Sequence, residues 1–464
     1  MKGQLFYLSE SNSVFIDDVK GFYMDLKQNS VAKGDVDNDG DIDFILSTDK
    51  TRLYINDGNG VFSTTNNALF QDFKSCSLVL GDIDNDTDLD LFMTGFYGEY
   101  LDVFAKLYTN NGAGVFTENT DSVFNAVIYS ALDFKDFDND NDLDLVVSGL
   151  TGDFELLTFY TNNGSGNFTS NSVNLGTYHG SLNFLDVEND NDKDLLITGS
   201  GFLGIPTSRL FLNNGFGVFS QDTNNYFSGS VYSSSNVADV DGDGDTDVII
   251  SGSLLSQFST TLYLNDGLGS FSASAAIFDE VWKGSVVFED IDNDFDQDVL
   301  ITGRNSSDAR IAKLYANDGE GNFSLLVDDV FEGVEYSSVF FADVDNDSDK
   351  DLFINGVNDD NLYYCFANLY INNLSTLNDS VFESNTTRIV AYPNPTFNTT
   401  KLVFNKQYDS AEITLRNLLG QKIHQENFFT IDELSLDINQ PSGVYFVDVI
   451  LNNSYQSTIK IIKN

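Results

Sequence analysis

The stretch Asp35-Val36-Asp37-Asn38-Asp39-Gly40-Asp41-Ile42-Asp43 decides the reading of this chain, because its pattern of alternating acids returns six more times. Written D-x-[DE]-x-D-x-D-x-D, the pattern starts at Asp35, Asp82, Asp136, Asp186, Asp239, Asp290 and Asp343. Successive starts lie 47, 54, 50, 53, 51 and 53 residues apart. A period of this length marks a repeat architecture, in which each unit buries its apolar face against its neighbours. Positions 1, 3, 5, 7 and 9 are Asp35, Asp37, Asp39, Asp41 and Asp43 in the first loop and Asp82, Asp84, Asp86, Asp88 and Asp90 in the second. The third has Asp136, Asp138, Asp140, Asp142 and Asp144; the fourth has Asp186, Glu188, Asp190, Asp192 and Asp194. The fifth has Asp239, Asp241, Asp243, Asp245 and Asp247; the sixth has Asp290, Asp292, Asp294, Asp296 and Asp298. Asp343, Asp345, Asp347, Asp349 and Asp351 form the seventh. These loops hold 35 of the chain's 72 acids, against 23 basic residues in all. The net charge of −49 is thus concentrated where a cation would sit rather than spread over a solvated surface.

The flanks of each loop are constant. A short apolar stretch such as Val286-Val287-Phe288 precedes it, and a β-rich run such as Leu195-Leu196-Ile197-Thr198 follows. Then comes a strand ending in an Asn/Asp-Gly turn and a Phe, as in Leu53-Tyr54-Ile55-Asn56-Asp57-Gly58-Asn59-Gly60-Val61-Phe62. Asn and Gly tolerate positive φ, so this is a hairpin signal. Four short antiparallel strands in about fifty residues make a propeller blade. The expected fold is all-β: a seven-bladed β-propeller over residues 1–374, a linker over 375–388, and a small C-terminal β-sandwich over 389–464. The closing Phe lies 18 to 20 residues before the next loop, and Phe15 lies 20 before Asp35. Val14-Phe15-Ile16 is therefore expected to complete the last blade, whose own fourth strand is missing. The competing reading takes Leu5-Phe6-Tyr7-Leu8 as an extra third strand, the remnant of an eighth blade.

Alternating carboxylates at positions 1, 3 and 5 of a tight loop suit calcium, a hard cation that takes six to eight oxygens. Position 7 would add its backbone carbonyl and position 9 a carboxylate from the next strand. Zinc prefers Cys and His ligands. An EF-hand needs Glu at position 12, counted from the first Asp, where this chain has apolar residues such as Leu46 and Met93. The loops resemble those of the FG-GAP/VCBS repeats of integrin-α-like propellers, whose calcium loops read D-x-D-x-D-G-x-x-D. The resemblance covers residues 1–374 and implies up to seven bound calcium ions. Glycine stands at position 6 only as Gly40 and Gly244; Thr87, Asn141, Asn191, Phe295 and Ser348 replace it. Thr and Phe tolerate left-handed geometry poorly, so loops two and six are expected to be the weaker sites.

The composition shifts after Asn373. Alternating strands are expected at Thr400–Phe404, Ala411–Arg416, Lys422–Gln425, Leu434–Ile438, Gly443–Leu451 and Gln456–Ile462. Tyr392-Pro393-Asn394-Pro395, Leu418-Leu419-Gly420-Gln421, Ser442-Gly443-Val444-Tyr445 and the basic end Lys460-Ile461-Ile462-Lys463 resemble the type A C-terminal sorting domain of the bacterial type IX secretion system. That resemblance implies the type IX machinery as a partner, and secretion or display on the outer face of a Gram-negative cell.

Hydrophobic residues make up 41% of the chain and aromatics 13%, enough for a core and against disorder. No basic patch is present to meet nucleic acid or an anionic membrane. Two cysteines give no disulfide framework, and two histidines leave little for histidine catalysis. No window reaches the length of a membrane span, and residues 1–10 show no signal-peptide pattern. Phe73, Tyr129, Tyr178, Tyr232, Trp282 and Tyr336 lie seven to nine residues before the loops. They are expected to ring the channel mouth, either stacking on sugars or plugging the hub. The leading reading is an extracellular binding or adhesion module for glycan or protein, without catalytic residues. The rival is a polysaccharide-degrading lyase or hydrolase built on the propeller, and a third is a structural surface-layer role.

Overall fold

The computed structural model describes residues 6–8, 30–48, 50–64, 70, 75–97, 102–152, 154–254, 257–327, 331–358, 366–372, 389–392, 396, 399–417, 421–438, 440–441, 443–452 and 455–463. The chain divides into two compact units, residues 2–376 and 377–464.

In the larger unit each acidic repeat is one antiparallel sheet. In the first, Ser30–Gly34, Asp43–Ser47, Thr51–Asn56 and Phe62–Thr64 pair in chain order. Seven such sheets occur among the described residues, numbered here as blades 1 to 7 in the order of their acidic loops. The acidic loop joins the innermost strand to the second strand. That second strand is buried on both faces, as at Phe44-Ile45-Leu46 and Leu145-Val146-Val147, so it reads as a continuous apolar run instead of an alternation. The innermost strands pack side by side around the unit, and Glu335–Ala342 of blade 7 lies against Ser30–Gly34 of blade 1. There the Val31 N–H donates to Ser338 Oγ at 3.2 Å, and the Lys33 ammonium donates to the Phe341 carbonyl. The core lies between blades: Phe44 and Leu46 pack with Phe340 and Phe353 across the closure. The result is a closed β-propeller.

The closing strand differs from the expected one. Phe6–Leu8 is the outermost strand of blade 7, with Phe6 opposite Asn372, Tyr7 opposite Ile371 and Leu8 opposite Tyr370. Val14-Phe15-Ile16 lies outside the described residues. The segment read as a remnant third strand therefore fills the fourth place, because the long third strand Phe366–Asn372 offers it an unpaired edge. Deleting residues 1–8 is expected to expose that edge and turn a monomer into soluble aggregate on light scattering; an unchanged monomer would refute the closure.

Among the described residues the smaller unit, expected as a β-sandwich, is one continuous five-stranded sheet that bends over its own core. Strands Ile389–Tyr392, Thr399–Asn417, Gly443–Leu451 and Tyr455–Lys463 pair in that order, and Lys422–Asp437 pairs with Thr399–Asn417. The four short strands expected between residues 400 and 438 are thus two long ones. The pairing shifts register between Val403 and Tyr408, where the sheet folds over its own core. Leu402 and Phe404 from before the shift share that core with Ile413, Leu415, Val447 and Val449 from beyond it.

Candidate metal loops and the hub

The seven loops share one hydrogen-bond plan. The amide of position 6 donates to Oδ2 of position 1 in every loop, at 2.9–3.0 Å. The amide of position 7 donates to Oδ1 of position 5 in every loop, at 2.9–3.2 Å. Residues without glycine's freedom follow the same path: φ is 77° at Thr87 and 76° at Phe295, and Phe295 is 90% exposed. Loops two and six therefore keep the geometry and carry backbone strain of about 1–2 kcal/mol each instead.

Position 3 is different. Oδ1 of Asp37, Asp84, Asp138, Asp241, Asp292 and Asp345 is buried and accepts no hydrogen bond. A buried carboxylate oxygen without a donor is costly unless a cation answers it. Burial first, and facing carboxylates such as that of position 5 second, raise these carboxyls above the usual range, to about 6 at Asp292 and Asp345. Carboxylate oxygens of Asp35, Asp37 and Asp39 lie within 4.8 Å of one another, as do those of Asp82, Asp84 and Asp90. So do those of Asp136, Asp138 and Asp144, of Asp239, Asp241 and Asp247, and of Asp290, Asp292 and Asp294. Two oxygens bonded to one calcium at about 2.4 Å are at most about 4.8 Å apart, so these sets fit that ion.

The acidic loops end the innermost strands; the aromatics begin them, at the other end of the channel. Tyr129, Tyr178, Tyr232, Trp282 and Tyr336 come together there, whereas Phe73 lies outside the described residues. The equivalent position, seven residues before each loop, is Tyr129, His179, Tyr232, Lys283 and Tyr336 in blades 3 to 7, so His179 and Lys283 complete the set. All five are left-handed, with φ between 48° and 54°. Successive backbones hold them: His179 N–H to the Tyr129 carbonyl, Lys283 N–H to that of Tyr232, and Tyr336 N–H to that of Lys283. The His179 ring sits 3.9 Å from Tyr129 and 4.4 Å from Tyr232, and the Lys283 ammonium lies 4.1 Å from the Trp282 ring and 4.7 Å from that of Tyr336. Burial, then the Lys283 charge, holds the His179 imidazole at about 4, so it is neutral at physiological pH. His179 stacks on Tyr232, Tyr232 meets Trp282 and Tyr336 nearly at right angles, and Trp282 stacks on Phe258.

Residues 35–93, 136–197 and 290–354 match the FG-GAP-like repeat, and residues 390–464 match the secretion system C-terminal sorting domain. The chain carries FG-GAP-like repeats and a type IX sorting tail. That tail marks it for export. Among the described residues no helix is long and apolar enough to cross a membrane. No curated protein sequence matches the chain. Three solved structures show distant likeness, each at 9% identity. Trypanosoma rangeli sialidase has a TM-score of 0.37, with 93% of this chain and 89% of that one covered. Dimeric latent PorU from Porphyromonas gingivalis has 0.15, with 75% and 35% covered. A tetra-tandem repeat from the extending region of a large adhesion protein has 0.14, with 94% and 99% covered. Likeness this slight carries no argument about function.

Two residues of the FG-GAP repeat have roles that the sequence pattern did not disclose. Asp at position 9, read as a metal ligand, is buried and accepts two backbone amides in every blade. One comes from position 2, at 2.9–3.3 Å. The other comes from the Asn that ends the third strand, at 2.7–2.9 Å. That Asn (Asn56, Asn110, Asn162, Asn213, Asn265, Asn317 and Asn372) was read only as part of a turn. Its side-chain amide donates at 2.7–3.0 Å to the position-2 carbonyl of the preceding blade, Asn56 reaching Val344 across the closure. Seven buried bonds thus tie each blade to the one before. The available signal was that this Asn stands at one place in all seven repeats.

Proposed function

We propose that this chain is a calcium-stabilised propeller that the type IX machinery delivers to the outer face of a Gram-negative cell or to the medium. There it acts as a binding or adhesion module for glycan or protein ligands. The observation that carries the calcium reading is the orphaned position-3 oxygen, repeated in six loops. Positions 1, 3 and 5 would hold the ion, with position 9 beside them in loops two, three and five. The bound ion supplies charge neutralisation; the chain's own part is to aim the position-3 carboxylate inward while positions 1 and 5 brace the turn. Asp, unlike Cys or His, matches a hard cation. An export route suits such sites, because extracellular modules bind calcium weakly, at about 10⁻⁴–10⁻³ M, where the ion is plentiful.

The test is thermal unfolding of the full chain. If a loop binds at about 10⁻⁴ M, 1 mM calcium adds about 1.4 kcal/mol per site. Summed over several loops this is expected to raise Tm by more than about 10 °C over the chelated protein. A Tm that ignores both chelator and calcium would overturn the reading. A glycan array probed with the calcium-loaded chain then separates glycan from protein ligands.

A further inference from the structure

At five of the seven junctions the acidic loops touch through the same pair of residues. The Asn at position 4 of one loop donates its side-chain amide to the position-7 carboxylate of the next blade's loop. Asn38 reaches Asp88 at 2.7 Å, Asn85 reaches Asp142 at 2.8 Å, and Asn139 reaches Asp192 at 3.1 Å. Asn189 pairs with Asp245 at 2.5 Å, and Asn346 of blade 7 with Asp41 of blade 1 at 2.8 Å. Each donor is left-handed, φ 58° to 62°, a conformation that Asn tolerates.

The series stops at blade 6. Blade 5 has Gly242 at position 4, which offers no side chain to Asp296. Asn293 of blade 6 reaches only the Ser348 carbonyl, at 3.5 Å. Five links therefore join six loops in the order 7, 1, 2, 3, 4, 5, and loop six stands apart.

We propose that these five Asn residues couple the loops, so that six take up calcium cooperatively and loop six binds alone. The inference rests on the calcium reading above. Position 4 lies between the ligand positions 3 and 5. A cation that fixes those carboxylates fixes the Asn between them. The Asn then holds position 7 of the next loop, whose own carboxylate lies against the following turn; a Cβ on Gly112 would meet Asp88, and one on Gly164 would meet Asp142. The ordering cost of the second loop falls when the first is filled, which is positive cooperativity.

Calorimetric titration of the chelator-stripped full chain with calcium tests this. The expected isotherm has a cooperative class with a Hill coefficient of about 2 or more, and one separate independent site. Asn85→Gly cuts the series into two groups of three. Gly242 shows that glycine is accommodated at this position, so the fold is kept. Its Hill coefficient is expected to fall but to stay above about 1, since three loops remain coupled in each group, while every site still titrates. Gly242→Asn makes the opposite change. The site has φ 73°, and a Cβ there would sit 3.4 Å from the Gly319 carbonyl. Asn139 and Asn346 meet the equivalent turn carbonyls at Gly215 and Gly58. That variant is expected to draw the separate site into the cooperative class, a gain that a merely structural role for Asn would not give. Calcium binding at independent sites, or an isotherm that Asn85→Gly leaves unchanged, overturns the coupling and leaves the calcium reading intact. No calcium uptake at all overturns both.

Discussion

Asp43→Ala is expected to destabilise the propeller by about 2–6 kcal/mol, measured by urea unfolding in saturating calcium. Its carboxylate is fully buried and accepts the Val36 amide at 3.0 Å and the Asn56 amide at 2.8 Å. Truncation leaves two buried backbone donors without acceptors, at about 1–3 kcal/mol each. The damage also spreads, because Asn56 is the residue that holds blade 1 to the Val344 carbonyl of blade 7. Burial pushes the Asp43 carboxyl up to about 6, against the pull of those two amides. The carboxylate is thus held where desolvation opposes it, which the bracing of both ends of the loop offsets. Asp41→Ala is the comparison. That carboxylate is more open to water and accepts the Asn346 side-chain amide, so its loss is expected to cost about 1 kcal/mol. Equal losses for the two variants would show that position 9 is no brace.

The difference between these neighbours explains how far the sequence could be read. Alternating Asp at a fifty-residue period identified the blades, because strand and turn chemistry repeat with the loops. Nothing in D-x-D-x-D-x-D-x-D distinguishes a carboxylate that faces a cation from one that braces backbone. Asp37 and Asp43 look alike in the pattern, yet one has an orphaned oxygen and the other has both oxygens engaged. The division depends on which backbone amides arrive; for Asp43 one comes from Val36, seven residues earlier in the loop, and the other from Asn56, 13 residues further on. The N-terminal closure failed for a related reason. Phe15 stood at the right distance from Asp35, but pairing is set by the edge that the last blade presents, and Phe6–Leu8 meets it. At the hub, counting aromatics picked Tyr178 and Trp282, one residue before the equivalent His179 and Lys283, because the shared feature is a left-handed backbone seven residues before the loop rather than a ring. The tail's two long strands were read as four for want of a turn signal; the break is a register shift, not a loop.

Truncation at Gly443 is expected to abolish export while leaving the propeller folded. The lost segment contains Gly443–Leu451, which lies between Thr399–Asn417 and Tyr455–Lys463 in the sheet of the smaller unit. Val447, Val449 and Leu451 are fully buried there, and Ile413 and Leu415 pack in the same core. Removing two of five strands takes away a third of that core, Tyr445, Val447, Val449, Leu451 and Ile461, more than a unit this small can lose. The buried Lys463 side chain, which donates to the Ile438 carbonyl at 2.7 Å, goes with it. The blades are untouched: their third strands end at Asn372, and the closing strand Phe6–Leu8 comes from the other terminus. In a host with the type IX system, fractionation should find the full chain at the surface or in the medium and the truncated chain in the periplasm. Its calcium-dependent melting should match that of the intact propeller. Export of both chains with equal efficiency would make residues 389–464 an accessory domain, and the route out of the cell would have to lie elsewhere in the sequence.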